Sequence, residues 1–179
     1  MCGIVGYIGS SNAIDIILNG LETLEYRGYD SSGIAFLDNN KIDVVKTVGR
    51  ISNLREKLES EYKNKISNIG VGHTRWATHG VPSNENSHPH LSMNSKFAVV
   101  HNGIIENYLL LKEELLKKNF VFKSETDTEV IPQLLEDLDD GDFLSTVFKM
   151  RNKVKGSYAF GILRQDTNEL IGTRKESPL

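Results

Sequence analysis

Residues 34–48, IAFLDNNKIDVVKTV, hold two β-type runs, Ile34 to Leu37 and Val44 to Val48, with too few residues between them for a crossover helix. Parallel strands need a connection of about a dozen residues or more, so these two pair as a hairpin and the sheet is antiparallel. The same kind of run recurs at Ile4 to Ile8, Ile69 to His73, Phe97 to His101 and Tyr158 to Leu163, and more weakly at Glu169 to Gly172. Between the runs, apolar residues three and four apart mark amphipathic helices: Ile14 to Leu24, Leu54 to Tyr62, Tyr108 to Leu115 and Phe143 to Val154. A further helix is expected from Thr126, which has capping-box spacing to Glu129, with Pro132 tolerable only near that first turn. The acidic stretch Glu136 to Asp142 reads as a solvated helix end and loop. Strands that follow one another without crossovers, interleaved with helices, give an α+β class in layers.

The 179 residues fit one domain, or one with part of a second. With 39% apolar and 25% charged residues, 4 Pro and 15 Gly, the chain can bury a core, and disorder, collagen and coiled coil are excluded. The balance of 21 basic against 24 acidic side chains, net charge -3, argues against a nucleic-acid partner. No apolar stretch approaches the roughly 20 residues of a membrane-spanning helix, so no membrane is expected. The single Cys and the absence of a leader-like start point to the cytoplasm.

That one thiol is Cys2, behind an initiator Met that is normally removable before a small residue. Removal places a nucleophilic sulfur beside its own α-amino group, whose reference pKa of roughly 7.7 to 8.0 suits a general base. Acyl transfer also needs donors at the developing oxyanion and clamps for the charged ends of a substrate. Candidates fall in three segments read as loops after strands. Gly72 to Gly80 (GHTRWATHG) offers the Arg75 guanidinium for a carboxylate. His101-Asn102-Gly103 offers a side-chain amide and a backbone N–H for one oxygen. Glu125 to Thr128 offers the Asp127 carboxylate for an ammonium.

Each has a plainer reading. Cys2 could be a small buried hydrophobe, Asn102-Gly103 a hairpin turn, Asp127 a helix cap, and Arg75 with Trp76 a surface cation–π pair. Together, however, they complete a set for attack on the side chain of a free α-amino acid. Five histidines, His73, His79, His88, His90 and His101, keep a metal-binding module as a second class, although their spacing matches no compact zinc pattern.

The stretches CGIVG at 2–6, EYRGYDSSG at 25–33, GHTRWATHG at 72–80, NSHPH at 86–90, VVHNGIIENY at 99–108 and SETDTEVI at 124–131 closely resemble the class II, N-terminal-nucleophile glutamine amidotransferases. The wording around Tyr26 to Asp30, Arg75 to Gly80 and His88 to His90 is that of the branch whose members carry two sugar-isomerase domains binding fructose 6-phosphate. The resemblance implies a four-layer αββα sandwich, two antiparallel sheets between helices, of N-terminal-nucleophile hydrolase type. It implies a glutaminase acting on L-glutamine without cofactor or metal. Cys2 is then the nucleophile, with Asn102 and Gly103 as the oxyanion hole. Arg75 and Asp127 hold the α-carboxylate and α-amino group, and Trp76, Thr78 and His79 line the pocket. Arg27 and His88 stand in supporting positions. The full enzyme of such a branch is expected to be a homo-oligomer.

Two features depart from the family. Residues 1–179 make one amidotransferase domain without sugar-isomerase domains. The family also usually has Gly where Glu176 stands and runs on into further strands, so a C-terminally incomplete and weakly stable fold is expected. A glutaminase domain of amidophosphoribosyltransferase type, or a non-catalytic remnant serving as a regulatory subunit, remain as alternatives.

Overall fold

A computed structural model describes residues 2–76 and 81–179, with Arg27 described by its backbone alone. In chain order the elements are β1 (Gly3–Ile8), α1 (Ala13–Thr23), β2 (Ser31–Asp38), β3 (Lys41–Val48), α2 (Ile51–Glu61), β4 (Ile69–Arg75), β5 (His90–Leu91), β6 (Phe97–Ile105), α3 (Tyr108–Lys117), α4 (Val130–Leu138), α5 (Phe143–Lys153), β7 (Gly156–Arg164) and β8 (Leu170–Lys175). The β2–β3 hairpin closes through Asn39 and Asn40, both at positive φ, which is the turn that matches strand twist in a two-residue loop. One four-stranded antiparallel sheet has the order β1-β4-β2-β3, the other β5-β6-β7-β8.

Strand alternation sorts the side chains into three packed layers. Outside the first sheet, Ile34, Phe36 and Val45 meet Ile14, Ile17, Leu18 and Leu21 of α1 and Leu54 and Leu58 of α2. Outside the second, Phe97, Val99, Phe160 and Ile162 meet α3, α4 and α5 through residues such as Leu111, Leu134 and Val147. Between the sheets lie Ala35, Ile42, Ile69, Val71, Ala98, Val100 and Leu163. The result is the αββα sandwich that the resemblance implies. Helix α1 approaches β4 closely because Gly72 has no side chain: a Cβ there meets Ile17 Cγ2 at 2.4 Å.

Three local readings change. The two-residue strand β5 was not expected, being too short to show a period. Thr126 and Glu129 do not form a reciprocal capping box. The chain enters α4 through a 3₁₀ turn, Asp127–Glu129, and Thr126 makes no capping bond. Its hydroxyl instead pairs with His90 Nε2 and Ser124 Oγ, each at 3.0 Å. The Glu129 carboxylate accepts from the Ser124 and Lys123 backbone N–H groups at 2.6 and 2.9 Å. Pro132 does sit in the first turn of α4. Finally, the acidic stretch is not wholly solvated: the Asp139 side chain is 7% exposed and ion-paired with Lys96 and Arg164.

Candidate active site

The inter-sheet layer is apolar along most of its length and polar at one end. On β4 the side chains facing the second sheet are Ile69 and Val71, and continuing that alternation gives His73 and Arg75. On β6 the matching stripe is Ala98 and Val100, then Asn102. On β1, Ile4 packs into this layer and Cys2 stands two residues before it. The same alternation that builds the hydrocarbon core therefore delivers the thiol, guanidinium and amide to one place.

There they border a cavity of about 680 Å³, lined among others by Cys2, Arg75, Trp76, His88, Asn102, Gly103 and Asp127. Seven of the ten site residues expected from the sequence are thus brought together. Thr78 and His79 lie outside the described residues, and so does the Arg27 side chain. Two segments read as loops are strand interiors: Gly72 to Arg75 belongs to β4 and His101 to Gly103 to β6. Asn102-Gly103 is therefore no hairpin turn, as Asn102 pairs with Ala159 and Gly103 with Tyr158 in mid-sheet. Gly103 has φ +127°, and a Cβ built there meets Ser157 O at 2.1 Å, so only glycine fits. Arg75 is 5% exposed, which rules out a surface cation–π pair, whereas Trp76 beside it is 53% exposed.

Cys2 is held from both sides. The Gly3 backbone N–H donates to Thr74 Oγ1 at 3.0 Å, and the Trp76 N–H donates to Cys2 Sγ at 3.2 Å. Opposite, His73 Nε2 lies 2.8 Å from Asn102 Oδ1. Asp127 is 7% exposed, and its Oδ2 accepts the Ile105 N–H at 2.8 Å, fixing the carboxylate by a bond from the strand that carries Asn102.

Four histidines form a buried cluster beside the cavity. The His88 ring centroid stands 4.3 Å from His73, 4.9 Å from His90 and 6.4 Å from His101. Burial holds every one of them below the ordinary imidazole pKa, His73 at about 4 and His101 at about 3. For His88 and His90 burial again dominates, reinforced at His88 by its histidine neighbours and at His90 by Lys46 and Arg75. All four are neutral at pH 7. Among the described residues no three His, Cys, Asp or Glu side chains are grouped to hold a metal ion. Sequence reasoning gave no part in the amidotransferase site to His73, which it read only as a candidate metal ligand, or to Thr128, which pairs with His101 Nδ1 at 2.8 Å. The period-2 continuation of Ile69 and Val71 was the available signal for His73.

Residues 73–178 match the family described as "Glutamine amidotransferase domain". The chain belongs to this family of glutamine amidotransferases. The amidotransferase domain is 54% identical over 180 residues to glutamine–fructose-6-phosphate aminotransferase [isomerizing] of Caldanaerobacter subterraneus subsp. tengcongensis and 52% identical over 181 residues to that of Aquifex aeolicus. Both alignments take in 100% of this chain, but only 29% and 30% of the relatives, so the chain spans under a third of their length. Among solved structures it resembles glutamine phosphoribosylpyrophosphate amidotransferase from B. subtilis at TM-score 0.77 and 28% identity, over 92% of this chain and 35% of that one. Among the described residues no helix is long and apolar enough to cross a membrane.

Proposed function

We propose that the domain hydrolyses glutamine to glutamate and ammonia, with the Cys2 thiol as nucleophile. The observation that carries this reading is the position of Cys2, immediately before β1 of one sheet, on the same cavity as Asn102 and Gly103 of the other. Once Met1 is removed, the α-amino group of Cys2 takes the thiol proton and Sγ attacks the δ-carboxamide carbon of the substrate. The negative charge that develops on the amide oxygen is met by Asn102 Nδ2 and the Gly103 N–H, a kind of donor worth about 10² to 10³ in kcat. The tetrahedral species collapses by expelling ammonia, which carries away the proton held by the amine. A water then cleaves the γ-glutamyl thioester, giving glutamate and returning the thiol.

Substrate orientation comes from the ends of the amino acid. Arg75 is the partner for the α-carboxylate and Asp127 for the α-ammonium, while the exposed Trp76 lines the same cavity. Thr78 and His79 are assigned to the same pocket, and Arg27 and His88 to support of it. The relatives at 54% and 52% identity favour, for the whole protein, transfer of the ammonia to fructose 6-phosphate on sugar-isomerase domains, giving glucosamine 6-phosphate. That protein is assigned to the cytoplasm as a homo-oligomer. The phosphoribosyl alternative stands at only 28% identity.

The test is mass spectrometry of the protein during glutamine turnover, alongside Cys2→Ala. The expected result is a chain lacking Met1 with a γ-glutamyl adduct on Cys2, and loss of hydrolysis by roughly 10⁴-fold or more in the variant at unchanged stability. Hydrolysis by a chain that retains Met1, or by Cys2→Ala, overturns the reading.

A further inference from the structure

An asparagine can serve an oxyanion hole only with its NH₂ end toward the substrate. The two ends of the amide are nearly equal in size, so packing alone does not choose between them; a donor or acceptor facing one end does. In this domain that neighbour is His73, fully buried on β4 of the first sheet, with Nε2 2.8 Å from Asn102 Oδ1 on β6 of the second. The bond spans the two sheets at the end where the hydrocarbon layer gives way to the cavity. The strand pair that holds His73 also holds the nucleophile, since β1 runs antiparallel to β4 with Ile4 opposite His73 and Gly3 opposite Thr74.

We propose that His73 is a positioning residue for the oxyanion hole: its Nε2–H donates to Asn102 Oδ1, which turns Asn102 Nδ2 toward the carbonyl oxygen and ties the oxyanion strand to the nucleophile strand. The inference rests on the oxyanion role assigned to Asn102. An oxygen can only accept, so the ring nitrogen facing it carries hydrogen, which selects the Nε2–H tautomer. Burial keeps the ring neutral at pH 7, and the neutral His88 ring packed 4.3 Å away adds no charge beside it. His73 touches no substrate in this scheme. It acts through Asn102 alone.

A double-mutant cycle in the full chain separates this from a merely structural role. Asn102→Ala is expected to lower kcat by about 10²- to 10³-fold, the worth of one oxyanion donor. His73→Phe, which keeps the ring and removes the donor, is expected to lower kcat by at least about tenfold with KM changed less than about threefold. In the Asn102→Ala background the same substitution should cost less than about threefold, because its target is gone. His73→Gln, whose amide also donates, should recover most of the lost rate.

Multiplying effects, or a normal kcat in His73→Phe, overturn the inference while leaving Asn102 in its role. A normal kcat in Asn102→Ala removes the oxyanion reading itself, and the inference with it. Should His73→Phe fail to fold, ¹⁵N NMR of the unmutated protein decides the matter: the Nε2–H tautomer of His73 at neutral pH is expected, and an Nδ1–H tautomer overturns the proposal.

Discussion

The two ends of the inter-sheet layer are built from the same strands in the same alternation, yet one is hydrocarbon and the other polar. At the first, Ile69, Val71, Ala98 and Val100 are fully buried and need only be packed. At the second, His73 and Arg75 are nearly as buried, at 0 and 5% exposure, and so are His88, His90 and His101 beside that end, at 3 to 5%. Polar groups taken out of water cost free energy unless hydrogen-bonded, so the polar end must be wired where the apolar end is merely filled. Its bonds run between elements, from His73 to Asn102, His101 to Thr128 and His90 to Thr126, and each joins a strand to the neighbouring sheet or to the segment leading into α4. The layer thus shows how a sandwich holds reactive groups at interior depth: it keeps the strand period and exchanges packing for directed bonds.

Acid should distinguish the ends most sharply. Burial depresses all four clustered histidines, to about 4 at His73 and about 3 at His101, whereas the unfolded chain titrates near 6.5. Below about pH 6.5 the unfolded state therefore binds more protons than the native one, and stability falls as pH falls through that window. Above about pH 7 both states are neutral at these groups and the dependence vanishes. Each histidine contributes up to about a tenfold change in the folding equilibrium per pH unit. Urea midpoints are expected to drop steeply from pH 6.5 to 5; a flat profile there would break the comparison.

The apolar end should respond to volume instead. Ile69→Ala removes hydrocarbon at a fully buried site six residues, or about 20 Å, along β4 from Arg75. A loss of about 2–5 kcal/mol in unfolding free energy is expected, with kcat per folded molecule unchanged. A fall in kcat without a fall in stability would mean that the two ends are mechanically coupled.

Much of this division is legible in the sequence. Ile34 to Val48 gives the hairpin and hence the antiparallel class, and Cys2, Arg75, Asn102, Gly103 and Asp127 are recognisable by chemistry before any contact is known. What stays hidden follows from the way long-range pairing overrides local signals. Asn102-Gly103 has the wording of a turn, but its partners Ala159 and Tyr158 lie more than fifty residues away and hold it in mid-strand. Thr126 and Glu129 have the wording of a capping box, but His90 and the backbone of Lys123 and Ser124 compete for their side chains. The five histidines keep a metal-binding class open by their number although their spacing fits no compact zinc pattern, whereas in space four of the rings pack on one another as neutral groups. β5 is too short for any period to reveal it.

The smallest effect expected comes from a residue on the far side of β4. Thr74 alternates with His73 and Arg75, so it faces away from the inter-sheet layer, yet its hydroxyl accepts the Gly3 N–H at 3.0 Å next to Cys2, the proposed nucleophile. Thr74→Val keeps the branched shape and removes the acceptor, leaving a buried N–H without its partner at a cost of about 1–3 kcal/mol. Thr74→Ser retains the acceptor and should lose much less. If the hydroxyl also holds Cys2 at its attacking distance, the valine variant loses kcat by less than about tenfold at unchanged KM, and serine restores it. A valine variant with lowered stability and normal kcat would show that β1–β4 pairing and the Trp76 N–H suffice to place the sulfur, so that the polar end depends on its own inward face alone.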